Sequence, residues 1–278
     1  MPAPAPSLPV TPESAGWRFL SFNVIELAPG DQHHHVLAAE ETAVTPLSGE
    51  GTITLDGAAH DVSRSSVFDQ LAPIGYAPPR TEVTVTARGD GPFTFAIGSA
   101  PAEGRYPARI IEPSTIRSEV RGGGAAHRHI NHSLASPIEA ERLILYEVYV
   151  PRGTWSGWPP HRHDGVDGSP YLEEVYYFKL DRPEGFWMHR NWHDESDDDQ
   201  DWQEIYQGGD GELALVPSGY HSSVACPGSN MYFLNYLAGE LVGEERSTPP
   251  CFSSEHTWIE TDWSAGAWKL PLDLGPQT

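Results

Sequence analysis

The chain has 278 residues, 17 of them basic and 39 acidic, which gives a formal net charge of −22 at pH 7. So acidic a surface repels phosphate backbones and anionic lipids, and we expect neither nucleic acid nor a membrane as a partner. Hydrophobic residues make up 38% of the chain, enough for a packed core, and two cysteines are too few for a disulfide framework. These features predict a folded cytoplasmic protein, and they leave a small anionic ligand open.

The first part of the chain is a turn-rich series of short strands. The Pro/Ala-rich residues 1–16 predict a flexible arm. Runs such as "ETAVTPLSGEGTITLDG" and "EVTVTAR" follow, separated by Pro-Gly, Ser-Gly and Asp-Gly turns. This pattern is typical of an antiparallel barrel or sandwich. We therefore predict an N-terminal β-barrel over residues 17–120.

A second series of strands follows a Gly-rich connection. It includes "ERLILYEVYVPRG", "YLEEVYYFKL" and "MYFLNYLAG". These runs predict a C-terminal barrel with a C-terminal extension over residues 121–278, so the fold class is all-β with two barrels. The acidic stretch from His193 to Asp201 is interpreted as a solvated loop.

The second barrel contains a set of residues suited to a metal. His161 and His163 are one residue apart, so they share a strand face. In the next strand Glu174 lies on the more apolar face, where burial of its charge is costly without a partner. His221 follows a strand and a Pro-Ser-Gly turn. Three imidazoles and one carboxylate suit a divalent first-row metal and leave positions open for substrate.

This ordered set resembles the two motifs of cupins, which are small β-barrels with a three-His, one-Glu metal site. "YVPRGTWSGWPPHRHD", "YLEEVYYFKL" and "LVPSGYHSSVACPG" extend the resemblance to one bicupin family, the 5-deoxy-glucuronate isomerases of inositol catabolism. That family resembles the 5-keto-4-deoxyuronate isomerases of pectin breakdown. The resemblance implies metal ligands at His161, His163, Glu174 and His221. One departure is Ser222, where the family usually has proline.

The resemblance implies an aldose–ketose isomerisation of 5-deoxy-D-glucuronate to 5-dehydro-2-deoxy-D-gluconate, with a divalent metal. Zinc is the first expectation, and manganese, iron, cobalt and nickel are alternatives. The base that removes the C2 proton stays open between a hydroxide on the metal and Tyr176. A local cation should bind the substrate carboxylate. Arg190 is the first candidate, since the resemblance also puts an arginine there, and Arg142 is the second.

Three other functions remain open at this stage: isomerisation of the pectin-derived uronate, an iron-dependent dioxygenase, and a non-catalytic bicupin that binds a sugar acid. We expect the first barrel to be metal-free, with His33, His34 and His35 in a solvated or loop cluster. His127, His129 and His132 are interpreted as structural. A homo-oligomer is possible, because bicupins often associate.

Overall fold

The computed structural model describes residues 9–193 and 202–263. Nearly all of their regular structure is β-strand, which confirms the all-β prediction. Helical structure in these ranges is limited to α1 (Pro12–Ala15) and the short 3-10 segments Pro113–Thr115, Gly124–Ala126, Gly243–Ser247 and Thr257–Thr261. In the described ranges no helix is long and apolar enough to cross a membrane. Most of the predicted acidic loop, residues 194–201, lies outside the described residues.

The first half of the chain forms one eight-stranded sheet that folds back on itself. Its central path is β1-β7-β3-β5-β8, and β4 and β6 pair with β3, while β2 pairs with β6. The strands of this half are β1 (Ser21–Leu27), β2 (Gln32–His35), β3 (Glu40–Leu55), β4 (Ala58–Arg64), β5 (Ile74–Ala77), β6 (Val83–Arg88), β7 (Phe93–Pro101) and β8 (Arg109–Ile111).

The second half forms two sheets, of order β16-β13-β18-β11-β10-β9 and β15-β14-β17-β12-β19. Its strands are β9 (Arg117–Arg121), β10 (Arg128–His132), β11 (Ile144–Val150), β12 (Trp155–Arg162), β13 (Leu172–Leu180), β14 (Trp187–Trp192), β15 (Gln203–Gly208), β16 (Leu213–Val216), β17 (Tyr220–Ala225), β18 (Met231–Gly239) and β19 (Cys251–Phe252).

The two halves repeat one topology. The order β1-β7-β3-β5 in the first half corresponds to β11-β18-β13-β16 in the second. The long strand β3 pairs with β7 and β5 through its first part and with β4 and β6 through its second part. In the second half β13 and β14 divide these two roles between them. The last strand of the first half ends at Ile111, and the first strand of the second half begins at Arg117, a few residues before the predicted boundary at 120.

Three main apolar cores hold the molecule together. One fills the first barrel, with Ile53, Val85 and Phe95 among its members. A second fills the apolar end of the second barrel around Phe178 and Trp187. The third and largest lies between the barrels, where the outer faces of the two corresponding sheets pack against each other. Each barrel therefore serves as part of the other's core, because burial of these apolar faces is the main driving force of folding.

Strand β13 shows how this packing departs from the sequence-based expectation. Glu174 and Tyr176 point into the second barrel, as the strand alternation predicts. The opposite face was expected to be the outer one, yet Val175 and Tyr177 lie in the core between the barrels. Both faces of the strand are buried because the first barrel covers the second face.

Two buried carboxylates join the halves in reciprocal fashion. Glu41 of the first half accepts backbone N–H groups from residues 141–143 of the second half, at 2.5–2.9 Å. Glu173 of the second half accepts backbone N–H groups from residues 18–20 of the first, at 2.6–2.9 Å. We call this pair the carboxylate clamps. Each satisfies three amides that would otherwise lie unpaired at the junction.

Two expectations for the first half differ from the structure. The flexible arm predicted for residues 1–16 is wrong from Val10 onward, because Val10 pairs with Phe22, is buried in the core between the barrels, and is followed by the capped helix α1. The histidines at 33–35 were expected in a solvated or loop cluster. They lie on β2, paired with β6, where His34 is exposed and His33 and His35 are half-buried.

Candidate metal centre

Two histidines reach the interior of the second barrel from β12 and the residue that follows it. His161 pairs with His221 across β12 and β17. His163 comes directly after the strand, and its Nδ1–H donates to the Leu172 carbonyl at 2.9 Å. That bond leaves the Nε2 atom of His163 directed inward. The ring nitrogens of His161, His163 and His221 lie within 4.8 Å of one another.

A tight turn positions His221. Gly219 has a φ of +75°, and a Cβ at this position would lie 2.3 Å from the Trp192 carbonyl oxygen, so only glycine fits here. Asp164 accepts the Gly219 N–H at 2.6 Å and two bonds from the Arg162 guanidinium. Burial favours the neutral acid, but these donors outweigh it and lower the pKa of Asp164 to about 2. The ionised Asp164 thus ties the turn to the end of β12.

Glu174 places a carboxylate beside this histidine group. Its Oε2 atom lies 2.8 Å from His163 Nε2 in a hydrogen bond and 3.2 Å from His221 Nε2 without hydrogen-bond geometry. Burial favours the protonated acid, but the contacts with His163 and His221 outweigh it and hold the pKa of Glu174 well below its usual range. Glu174 is therefore an ionised carboxylate inside the barrel.

The protonation states of the three imidazoles suit a metal. Burial, and then the neighbouring rings, depress the pKa of His161 far below its ordinary value, and burial also lowers the pKa of His221. Both rings are therefore neutral at pH 7, as ligation requires. Burial also opposes a charge on His163, but its hydrogen bond with Glu174 raises the pKa of His163. A metal that binds Nε2 of His163 must displace this proton.

The donor set fits a divalent ion. His221 is fully buried, and neither of its ring nitrogens has a hydrogen-bond partner among the described residues. Buried polar atoms of this kind are rare without a ligand. Two nitrogens bound to one ion at 2.0–2.1 Å lie at most about 4.2 Å apart. The ring nitrogens lie within 4.8 Å of one another, so small side-chain shifts bring all three onto one ion. We conclude that the second barrel contains a site for a divalent metal.

The histidine group opens onto a cavity of about 560 Å³. That volume is within the range typical of small-molecule sites. Apolar side chains from β11 and β18 form part of its wall, and residues 247–250 form another part. Arginines from β9 and β10 face the same space, and they are Arg117, Arg121 and Arg128. A small ligand that enters can meet the histidines and these arginines together.

Tyr176 faces this cavity from β13, as the sequence predicts. Burial, and then the charge of Glu174, raises the pKa of Tyr176 well above its usual value. The phenol is therefore protonated at neutral pH and is available as a hydrogen-bond donor. Beside it, His189 is fully buried, with its ring centre 4.9 Å from that of Tyr176. Burial, and then His221, lowers the pKa of His189 to about 3, so this ring is neutral.

The structure does not bring the two predicted substrate arginines to the cavity. Arg190 is exposed on β14, stacks on Trp192 with its guanidinium carbon 4.3 Å from the ring centre, and donates to Gln203. It points outward because the alternating neighbours His189 and Asn191 point inward. Arg142 lies at the junction of the halves and donates to the Pro101 and Gly239 carbonyls.

The cationic residues of the cavity were missed by sequence reasoning. Arg128 lies on β10, next to histidines that the sequence analysis interpreted as structural. One of them, His132, also lines the cavity. The alternation Arg128, Ile130, His132 on one face of a strand was visible in "HRHINH". What the sequence did not supply was the pairing of β10 with β11, which turns that face toward the metal site.

Comparison with known proteins agrees with this arrangement. The sequence profile of the KduI/IolB family matches residues 3–259. The 5-deoxy-glucuronate isomerase of Geobacillus kaustophilus is 34% identical over 255 residues, which cover 90% of this chain and 89% of the relative. The protein of the same name from Bacillus subtilis strain 168 is 29% identical over 256 residues, covering 90% of this chain and 91% of the relative.

Solved structures give the same fold. An IolB-like protein from Salmonella typhimurium LT2 superposes with a TM-score of 0.83 and 31% identity, over 91% of this chain and 94% of the other. Oxalate decarboxylase from Lactobacillus farciminis, at 12% identity, has a TM-score of 0.59 over 84% of this chain and 82% of the other. The second likeness concerns the fold alone. Together with the repeated topology, these neighbours confirm the prediction of two cupin-type barrels.

Proposed function

The chain belongs to the KduI/IolB family, and on that premise we propose that it is a metal-dependent isomerase that converts 5-deoxy-D-glucuronate to 5-dehydro-2-deoxy-D-gluconate in inositol catabolism. The observation that carries the proposal is the match with 5-deoxy-glucuronate isomerases along nine-tenths of both chains. The family match and the two-barrel fold support the isomerase class. The choice of 5-deoxy-glucuronate over the pectin-derived uronate follows from the names of these relatives.

We propose His161, His163, Glu174 and His221 as the metal ligands and zinc as the ion. Three neutral or deprotonatable imidazoles and an ionised carboxylate form the donor set of this site. Because such a set accepts several divalent ions, the proposal of zinc needs metal analysis of protein purified without added metal. A divalent ion held here would act as a Lewis acid toward the C1 and C2 oxygens of the substrate.

The chain's own residues bind and orient the sugar acid. The cavity is lined by apolar side chains that exclude water from a bound substrate and by arginines that attract its carboxylate. The protonated phenol of Tyr176 donates a hydrogen bond to a substrate oxygen as negative charge develops there, which stabilises the enediol-like transition state.

One assay tests the function. Metal-analysed protein is incubated with 5-deoxy-glucuronate and with 5-keto-4-deoxyuronate, in air and without oxygen, and products are followed by NMR. We expect conversion of the first substrate at equal rates in both atmospheres. Conversion of the pectin-derived uronate alone would reassign the substrate, and oxygen consumption would indicate a dioxygenase. Metal-loaded protein that converts neither substrate would disprove the isomerase proposal. The cytoplasmic location and the homo-oligomer remain predictions.

A further inference from the structure

Arg128 is a buried cation that has no carboxylate partner in the described parts of the chain. Its side chain lies in the wall of the metal-site cavity and is 6% exposed. Among the described residues its guanidinium is paired with no Asp or Glu, and its hydrogen bonds go to the Ala126 and Trp158 carbonyls at 3.3–3.4 Å. Burial of an unpaired charge is costly, and burial lowers the pKa of Arg128 to about 10. Even so, the side chain is protonated at neutral pH.

Three other arginines line the wall, and they are Arg117, Arg121 and Arg246. Arg117 and Arg121 both pair with Glu119, which also contacts His132. Glu119 compensates one unit of their combined charge, and solvent screens the rest because both side chains are about half exposed. Arg246 is buried and, among the described residues, also has no carboxylate partner, but it donates to the Leu143, Gly243 and Ile138 carbonyls at 2.5–3.1 Å. Both bonds of Arg128 are long and use one guanidinium nitrogen, so its remaining donors are available to a ligand.

The position of Arg128 relative to the metal site matters as much as its charge. Its guanidinium donates to the carbonyl of Trp158, which lies on β12 three residues before His161. Arg128, His161, His163 and Tyr176 all line one continuous cavity. A ligand with a negative end can lie between Arg128 and the histidines.

We propose that Arg128 binds the carboxylate of the sugar-acid substrate and thereby directs the C1–C2 end of its carbon chain toward the histidine group. A bidentate arginine–carboxylate pair fixes orientation as well as binding. It also explains how a protein with a net charge of −22 selects an anion, because a local desolvated cation overrides the field of a distant surface. This inference rests on the proposed function and names the residue that determines its specificity.

The binding test uses D-glucuronate and D-glucose, which differ only in a carboxylate or a hydroxymethyl group at C6. Affinities of the metal-loaded protein for both are measured by calorimetry. We expect the wild type to prefer glucuronate. In Arg128→Gln, the affinity for glucuronate should fall by roughly 10- to 100-fold, the value of a hydrogen bond to a charged group, while glucose binding and metal content stay unchanged. The KM for 5-deoxy-glucuronate should rise by a similar factor.

Matched variants keep the test decisive. Arg190→Gln removes an exposed arginine outside the cavity and should leave both affinities unchanged. Arg128→Lys keeps the charge, so it should retain part of the preference for glucuronate while weakening the acid several-fold; it replaces the Gln variant if that one does not fold. An unchanged preference for glucuronate in a folded, metal-containing Arg128 variant would overturn the inference. Absence of isomerase activity in the wild type, with the preference and its loss intact, would instead disprove only the proposed reaction.

Discussion

The two barrels share a topology but differ in what surrounds a pair of histidines. In the first barrel His33 and His35 alternate on β2, and in the second His161 and His163 alternate at the corresponding strand. Opposite β2, strand β6 presents Val85 and Val83 to the two histidines. Opposite β12, strand β17 presents His221 to His161. A His-x-His pair is therefore common to both barrels, and the third imidazole belongs to one.

The second barrel also has a carboxylate, that of Glu174, where the first barrel has a hydroxyl group. Thr42 in the first barrel stands at the position of Glu174 in the second. Thr42 pairs with β5 and β7, and Glu174 pairs with the corresponding strands β16 and β18. The Nε2 atom of His35 lies 3.2 Å from Thr42 Oγ1 and 3.3 Å from Ser99 Oγ. Hydroxyl groups thus satisfy this ring in the first barrel. The difference teaches that a metal centre in this fold depends on three strands together, and that the histidine pair alone is insufficient evidence for one.

The largest expected effect separates the two histidine pairs. His163→Ala should reduce the metal content to near zero per chain, because it removes a ligand and leaves Glu174 without its hydrogen bond. His35→Ala is the matched change in the first barrel and should retain the wild-type metal content. Metal per chain, measured by mass spectrometry after purification without added metal, gives the result. Equal metal content in the two variants would contradict the assignment of the site to the second barrel.

Removal of each carboxylate clamp tests whether the two halves contribute equally to the stability of their junction. Glu41→Ala and Glu173→Ala should each lower the free energy of unfolding by about 3–5 kcal/mol, because each leaves three amides at the junction without an acceptor. Urea denaturation, compared with Glu13→Ala at the exposed helix α1, measures this loss. A loss below 1 kcal/mol in either variant would show that water replaces the carboxylate at that junction.

The smallest effect concerns the turn that follows β5 in the first barrel and β16 in the second. Arg80 and Gly219 occupy the same position in these two turns, three residues after the strand. The N–H of Arg80 donates to the Leu37 carbonyl, whereas the N–H of Gly219 donates to the Asp164 carboxylate. The folded pKa of Asp164, about 2, is below the unfolded value of about 3.9, so its contribution is present above pH 4 and is lost as the pH falls toward 2. This contribution is at most about 2.6 kcal/mol.

The difference in unfolding free energy between the wild type and Asp164→Asn should therefore shrink between pH 5 and about 2.5. Urea denaturation of metal-free protein at several pH values measures it. Hydrogen exchange of the Arg80 and Gly219 amides provides an internal control, since only the second amide depends on a titrating group. A difference that does not change with pH would show that Asp164 acts through its shape and not its charge.

The metal site was the part of the structure that strand alternation predicted best. The period of two placed Glu174 inside and Glu173 outside the barrel without any knowledge of the fold. The proline–glycine turn before His221 gave the third imidazole. These are local properties of the chain, and the family resemblance pointed to the same four residues. The residues of the cavity wall opposite the histidines did not follow, because they depend on which strands pair.

The errors have the same physical origin. Arg190 was chosen because the family resemblance also puts an arginine there, but the sequence did not reveal which face of β14 is inward. The helix α1 and the burial of Val10 depend on a core that exists only when the two barrels meet. The strand character of residues 32–35 depends on pairing with β6, some 50 residues away along the chain. Long-range pairing overrides local composition in each case.

Strand β18 shows how the first barrel affects the metal-site cavity of the second barrel. Phe233, Asn235 and Leu237 line the cavity, while Leu234 and Tyr236 point the opposite way into the core between the barrels. The Tyr236 hydroxyl bonds to Thr45 Oγ1 on β3 of the first barrel at 2.8 Å. A single layer of backbone thus separates the first barrel from the metal-site cavity. The first barrel supports the back wall of this cavity, and mutations in its β3 would change the shape of the cavity without lining it.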